Sequence, residues 1–333
     1  MQRQYLGTLD YRDPLYEILL STVCPYVHDP LFHVKRMNVK RVYKYTEEKS
    51  GIAIIGKFYR LDDPRQERIL RIKGEFEKLV QVRRYGFDAG PHYVVRPIAR
   101  EERIGLALVE DFVRGKDLDH YVKRAIYEGR TNRLRDRLSK LAAFLYTLHT
   151  KTDGGEPVQP DMTEAYFRKI VSELRRQTLL CHDEKKRFLG LMDRWLGRDI
   201  FQGTPIALLH GDATPTNFLF TERNDIVAID FERMKKGDSA FDIGMVCGEL
   251  KHAFLWRTGD PFAAEPFIRH FLDGYAGCCI DPGSAFRAIT RRNPFYMALT
   301  ELRIARNDYL HWDYRKKLVH EAKECLSWGL KIP

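Results

Sequence analysis

The spacing of apolar residues changes character about a third of the way along the chain. Asp13 and Pro14 precede Leu15, Ile18, Leu19 and Val23, the one-sided period of a helix with a capped start. Pro25 and Pro30 close that segment. Residues 31–59 are rich in β-branched and aromatic side chains, and 47–51 (Glu-Glu-Lys-Ser-Gly) predicts a turn between two strands. Ile69, Ile72, Phe76, Leu79 and Val82 predict one amphipathic helix over 68–84, and 93–98 and 104–109 predict further strands.

After Gly115 the helical period takes over. Leu134, Leu138, Leu141, Leu145 and Leu148 recur every three or four residues, the stripe of a helix facing a core. A polar loop over 150–160 precedes more helix to about 196. Short strands and turns fill 204–229, and the pattern is helical from 240 onward. The order predicts an α+β fold with a boundary near 110–116. A strand-rich N-terminal lobe would span 1–113, with an extra helix within 1–30. A helix-rich catalytic lobe would span 114–333.

Composition supports a globular chain of one large or two small domains: 333 residues, 44% hydrophobic and 31% charged. No apolar run is long enough to span a bilayer. The N-terminus lacks the layout of a signal peptide, so the expected location is cytoplasmic. None of the six cysteines forms a Cys-x-x-Cys pair, which argues against zinc and favours reduced thiols. The net charge is +10, and residues 31–105 hold 18 Lys/Arg against 10 Asp/Glu. That surplus is scattered and no nucleic-acid-binding motif accompanies it, so a lobe that binds nucleotide phosphates is expected rather than a nucleic-acid partner.

The chemistry concentrates between 205 and 250. His210-Gly211-Asp212 is followed by Asn217 and, after two short apolar runs, by Asp230-Phe231-Glu232. Thr214-Pro215-Thr216 imposes a loop between Asp212 and Asn217. Residues 218–220 and 226–229 read as a hairpin turning at 222–225, which would bring Asp230 back beside Asn217. Phosphoryl transfer needs a carboxylate facing the attacking hydroxyl, hard oxygen ligands for magnesium and a lysine on the nucleotide phosphates. Asp212, Asn217, Asp230 and Lys57 supply these groups. The plainer reading, in which Asp212 caps a turn and Asn217 closes an Asx-turn, leaves Asp230 unexplained.

On these residues the chain resembles the aminoglycoside phosphotransferase and choline kinase family, which has a protein-kinase-like fold. Residues 208–217 resemble its catalytic loop, and Ile229-Asp230-Phe231-Glu232 its metal-binding segment. The run 237–244 resembles the segment whose second aspartate, here Asp242, supports that loop together with His210. The resemblance implies ATP and magnesium as cofactors, Asp212 as base, and Asn217 and Asp230 as metal ligands. Lys57 ends a strand similar to the one that supplies the phosphate lysine. Glu75 is its expected partner, with Glu77 as the alternative. Residues 108–115 resemble the interlobe hinge, where the backbone of Glu110 and Phe112 would contact the nucleotide. Two departures stand out: residues 37–41 (Met-Asn-Val-Lys-Arg) occupy the place of the Gly-rich loop without a glycine, and Glu232 replaces the protein-kinase glycine, as in choline and ethanolamine kinases.

The expected acceptor is a small-molecule hydroxyl, on an amino alcohol, an aminoglycoside or a sugar. Glu249 and Phe254 on the following helix are candidates for contacting a cationic acceptor. Against choline, no tryptophan pair is recognisable near 293–297. Against an aminoglycoside, residues 281–333 are net basic. A protein kinase is disfavoured because no Ala-Pro-Glu segment follows Asp230. The alternative from another class is a nucleotide-binding or interaction protein without turnover.

Overall fold

The computed structural model describes residues 4–37, 39, 41–60, 62–63, 66–151, 156–158, 161–201 and 204–332. The chain forms two compact units, Met1–Gly115 with Leu219–Arg233, and Lys116–Phe218 with Met234–Pro333. Asn38 and Lys40, in the stretch standing for the Gly-rich loop, lie outside the described residues, as does much of 150–160.

In the first unit the elements run β1 (Gln4–Thr8), α1 (Pro14–Thr22), β2 (Phe32–Arg36), β3 (Val42–Glu47), β4 (Ala53–Phe58), α2 (Gln66–Lys73), α3 (Glu75–Arg84), β5 (His92–Val94), β6 (Pro97–Glu101) and β7 (Leu106–Asp111). Six strands form an antiparallel sheet in the order β1-β2-β3-β4-β7-β6. Asp13 caps α1 by accepting from the Leu15 N–H at 2.9 Å, with Pro14 pre-set in the first turn. Leu15 and Leu19 of α1 pack with Phe32, Ile54 and Val109 of the sheet. The β3–β4 turn closes on Gly51, whose φ of 68° suits a residue without a Cβ.

Three elements differ from the expectations. Residues 4–8 form an edge strand, which the sequence hides because Tyr5 and Leu6 are both exposed and do not alternate. The helix predicted over 68–84 is two helices broken at Gly74, which takes the cap position of α3 without a side chain. The strand predicted over 93–98 is also two. Tyr93 pairs in parallel with residue 227, while β6 begins at Pro97 and pairs with β7. A single apolar run served two sheets, and its period could not show the change.

The remaining elements are β8 (Gly115–Asp117), α4 (Leu118–Glu128), α5 (Thr131–Lys151), α6 (Asp161–Arg176), α7 (His182–Leu196), β9 (Ala207–Leu209), β10 (Phe218–Thr221), β11 (Ile226–Ala228), β12 (Lys235–Gly237), α8 (Ala240–Thr258), α9 (Glu265–Gly277), α10 (Pro282–Ala305) and α11 (Trp312–Gly329). β10 and β11 form the hairpin that rejoins the first unit, turning through Asn224 in the left-handed region. In the second unit the leucine stripe of α5 is fully buried. α8 and α10 approach closely because Gly244 and Gly248 face α10. A Cβ at Gly244 would lie 2.3 Å from Tyr296 Cβ, and one at Gly248 2.8 Å from Thr300 Cβ. These glycines set the register that brings the next turn of α8 beside residue 303 of α10.

One polar cluster lies among these helices. Lys251 of α8 is 3.5 Å from Glu301 of α10 and 3.0 Å from Glu321 of α11, and Glu301 is fully buried. Burial pushes the Glu301 carboxyl up to about 7; Lys251 opposes this, while Glu321 and Glu265 add to it. Between the ordinary glutamate range and pH 7 the native chain therefore binds a proton that the unfolded chain has released. Stability falls as pH rises through that window and levels off above it, by up to about 3 kcal/mol. Glu301→Gln should flatten this slope in urea unfolding measured at pH 5 and pH 8. An unchanged slope would place the titration elsewhere.

Candidate active site

The first unit gathers one ammonium and three carboxylates. Lys57 projects from β4, with its Nζ 2.7 Å from Glu75 Oε1 at the start of α3 and 3.3 Å from Glu110 Oε1 on β7. Glu77 instead pairs with Arg100. Both carboxylates that face Lys57 are nearly inaccessible. Burial works against the Lys57 charge, but Glu110, Glu75 and Asp230 outweigh it and hold the amine above its ordinary pKa. Burial raises both Glu75 and Glu110, with Lys57 opposing.

Asp230 follows β11 and adopts a left-handed backbone, φ 64°, which is strained for a residue with a Cβ. Phe231, fully buried, opens the 3-10 turn Phe231–Arg233, and the Lys78 ammonium of α3 donates to the Glu232 carbonyl. α3 thus holds both Glu75 and the turn after Asp230.

In the second unit the loop 210–217 is braced from two sides. Asp242, fully buried in the first turn of α8, accepts from the His210 N–H at 2.7 Å and the Gly211 N–H at 3.0 Å. His149, at the end of the α5 stripe, places Nε2 3.2 Å from the same carboxylate, and its Nδ1 is 2.8 Å from the Tyr275 hydroxyl. Burial alone would raise Asp242, but His149, His210 and the Gly211 N–H hold it below the usual aspartate range. Gly211, at φ 77°, lets the loop turn. The Asn217 amide closes it by donating to the Asp212 carbonyl at 2.9 Å, and the ring of His210 packs on Phe218. The Asp212 side chain keeps partial access to solvent.

A residue the sequence reading missed meets that carboxylate. Arg303 of α10 donates to Asp212 Oδ1 at 2.6 Å and to Glu249 Oε1 at 2.7 Å. A lone charged pair, Glu301 and Arg303, within the otherwise apolar end of α10 was the available signal. Phe254 is buried and stacked on Phe267, with ring centroids 4.9 Å apart. Phe112 gives its N–H to the Ala53 carbonyl at 3.0 Å, and its ring lies under the Lys44 ammonium. The Glu110 side chain joins Lys57, because residue 110 lies opposite Ile55 in the sheet. A cavity of about 450 Å³ lined by Ala53, Arg83, Arg96, Asp111, Phe112 and Arg114 excludes Lys57 and Glu75.

Each unit carries hard oxygen donors of the type a divalent cation takes. Asp230 and the side-chain carbonyl of Asn217 are oxygen donors. Three carboxylates surround the Lys57 ammonium in the first unit, and among the described residues Glu110 Oε2 is buried without a hydrogen-bond partner. Among the described residues, no three His, Cys, Asp or Glu side chains form a metal-binding group by themselves. Magnesium sites commonly draw the rest of their shell from water and phosphate. Among the described residues, no helix is long and apolar enough to cross a membrane.

A model of the phosphotransferase enzyme family matches residues 40–280. No curated protein sequence matches the chain. Among solved structures, an ethanolamine kinase of Plasmodium vivax is 14% identical, with 95% of this chain and 87% of that one covered at a TM-score of 0.58. The streptomycin–ATP ternary complex of APH(2'')-IIa is 16% identical, with coverage of 96% and 97% and a TM-score of 0.55. Choline kinase LicA from Streptococcus pneumoniae is 16% identical, with coverage of 88% and 92% and a TM-score of 0.53. These likenesses show a protein-kinase-like fold.

Proposed function

The chain belongs to the phosphotransferase enzyme family, and on that premise we propose that it moves the terminal phosphate of ATP to a hydroxyl of a small molecule. The braced loop 210–217 carries this reading, because the contacts of Asp242 and Asn217 fix the backbone around a carboxylate that remains accessible. Asp212 orients the acceptor hydroxyl and takes its proton as the oxygen attacks phosphorus. The bond from the terminal phosphorus to the bridging oxygen breaks, and ADP leaves. Lys57, held by Glu75 and Glu110, binds the α and β phosphates. Asn217 and Asp230 are the groups that would hold magnesium, which neutralises phosphate charge when bound. ATP is the nucleotide in the APH(2'')-IIa complex, and it is the donor proposed here.

Removing magnesium with a chelator should abolish ATP consumption. Asp230→Asn should raise the magnesium concentration for half-maximal rate by at least about tenfold, the usual scale for losing a charged ligand contact. Turnover that ignores magnesium and survives Asp230→Asn would overturn the reading.

A further inference from the structure

The neighbourhood of Asp212 in the second unit contains its own cation. Both amino ends of the Arg303 guanidinium are spent, one on Asp212 and one on Glu249, and its side chain is only 13% exposed. An ammonium group binding between these carboxylates would have to displace a buried arginine or meet it at like charge, and breaking such a pair is costly. Phe254, the aromatic half of an expected cation site, is committed to the core.

The surface that continues from Glu249 has different chemistry. Glu249, His252 and Trp256 fall at i, i+3 and i+7 of α8, one face of the helix. His252 Nδ1 is 2.7 Å from the Tyr314 hydroxyl, and Trp256 meets the Tyr314 ring edge-on at 4.5 Å. Burial, with Arg257 and Arg303 nearby, pushes His252 down to about 4, so its imidazole is neutral near pH 7. Arg257 is neutralised by Asp119 at 3.0 Å. Trp256 remains half exposed. Neutral hydrogen-bonding groups beside a half-exposed indole suit a ring with hydroxyls on its edges and C–H bonds on its face.

We propose that Arg303 positions Asp212 and sets acceptor specificity, and that with Glu249, His252, Tyr314 and Trp256 it lines a site for a neutral hydroxyl-rich acceptor of the monosaccharide class. This rests on the phosphotransferase reading. Arg303 excludes ammonium acceptors by occupying their place and holds the Asp212 carboxylate in one orientation. Trp256 carries the stacking surface.

The test is steady-state transfer from magnesium-ATP by the full chain, comparing a set of aldohexoses and aldopentoses with ethanolamine and choline. A monosaccharide should be the best acceptor. Trp256→Ala, at a half-exposed side chain, should raise its KM about tenfold with little change in kcat. Arg303→Ala should lower kcat, and free guanidinium should restore part of the loss. If Arg303→Ala fails to fold, Trp256→Ala carries the test. Transfer to ethanolamine or choline at least as efficient as to any sugar, or an unchanged KM in Trp256→Ala, would overturn this inference and leave the phosphotransferase reading standing. ATP binding without transfer to any acceptor would overturn both.

Discussion

Asp212→Asn should reduce phosphate transfer by about 10²–10⁴-fold, the range of a general base removed from a proton transfer. The amide keeps the shape of the carboxylate but cannot take the acceptor proton. Two contacts independent of the carboxylate remain: the Asn217 bond to the Asp212 carbonyl and the Asp212 N–H bond to His210. The loop should therefore persist, and ATP affinity, set by Lys57 and its partners in the proposed mechanism, should stay within about threefold. Calorimetric titration of ATP beside a rate assay separates these quantities. Loss of ATP binding with an intact fold would contradict the assignment of Asp212 to the chemical step.

Asp242→Asn should cost both stability and activity. The carboxylate serves two backbone N–H groups and His149 with acceptor oxygens alone. An amide offers one oxygen and turns an N–H toward one of these donors, leaving a buried donor unsatisfied. The expected loss is about 3–5 kcal/mol, as for breaking a buried charged network. The rate should fall as well, because the carboxylate fixes Gly211 and so the direction of Asp212. The native aspartate lies below its ordinary pKa, so its stabilisation is complete above the ordinary aspartate range and is lost as pH falls through the lower native value. The Asp242→Asn variant, with no carboxyl to titrate there, should lack that acid-side loss of stability. Urea midpoints from pH 2 to pH 7 provide the check, and a variant with wild-type stability at neutral pH would refute the bracing role.

The sequence carried some of this structure better than the rest. The leucine stripe of α5, the cap of α1 at Asp13 and the hairpin turning at 222–225 depend on local period and turn chemistry, which neighbouring residues express. The break at Gly74 and the split between β5 and β6 depend on which distant strand accepts a backbone group, and no local period encodes that choice. The same division holds for the candidate site residues. The motif stretches carrying Asp212, Asn217, Asp230 and Asp242 are short and local. Arg303 lies 91 residues after Asp212 and reaches it only because Gly244 and Gly248 let α10 pack close to α8. The hinge-like stretch around Glu110 is local, whereas the contact of its side chain with Lys57 depends on cross-strand register with Ile55. Phe254 fits a cation site by spacing, yet it packs on Phe267 of α9, a helix whose position no short motif specifies.

Phosphate transfer can be followed with ATP labelled in its terminal phosphate, in the presence of magnesium and a panel of small alcohols, sugars and amino alcohols. The label should be found esterified to an acceptor oxygen, with Asp212→Asn leaving the ATP intact. Label that stays on ATP with every acceptor, or that passes to an acceptor equally well in the Asp212 variant, would contradict the proposed transfer.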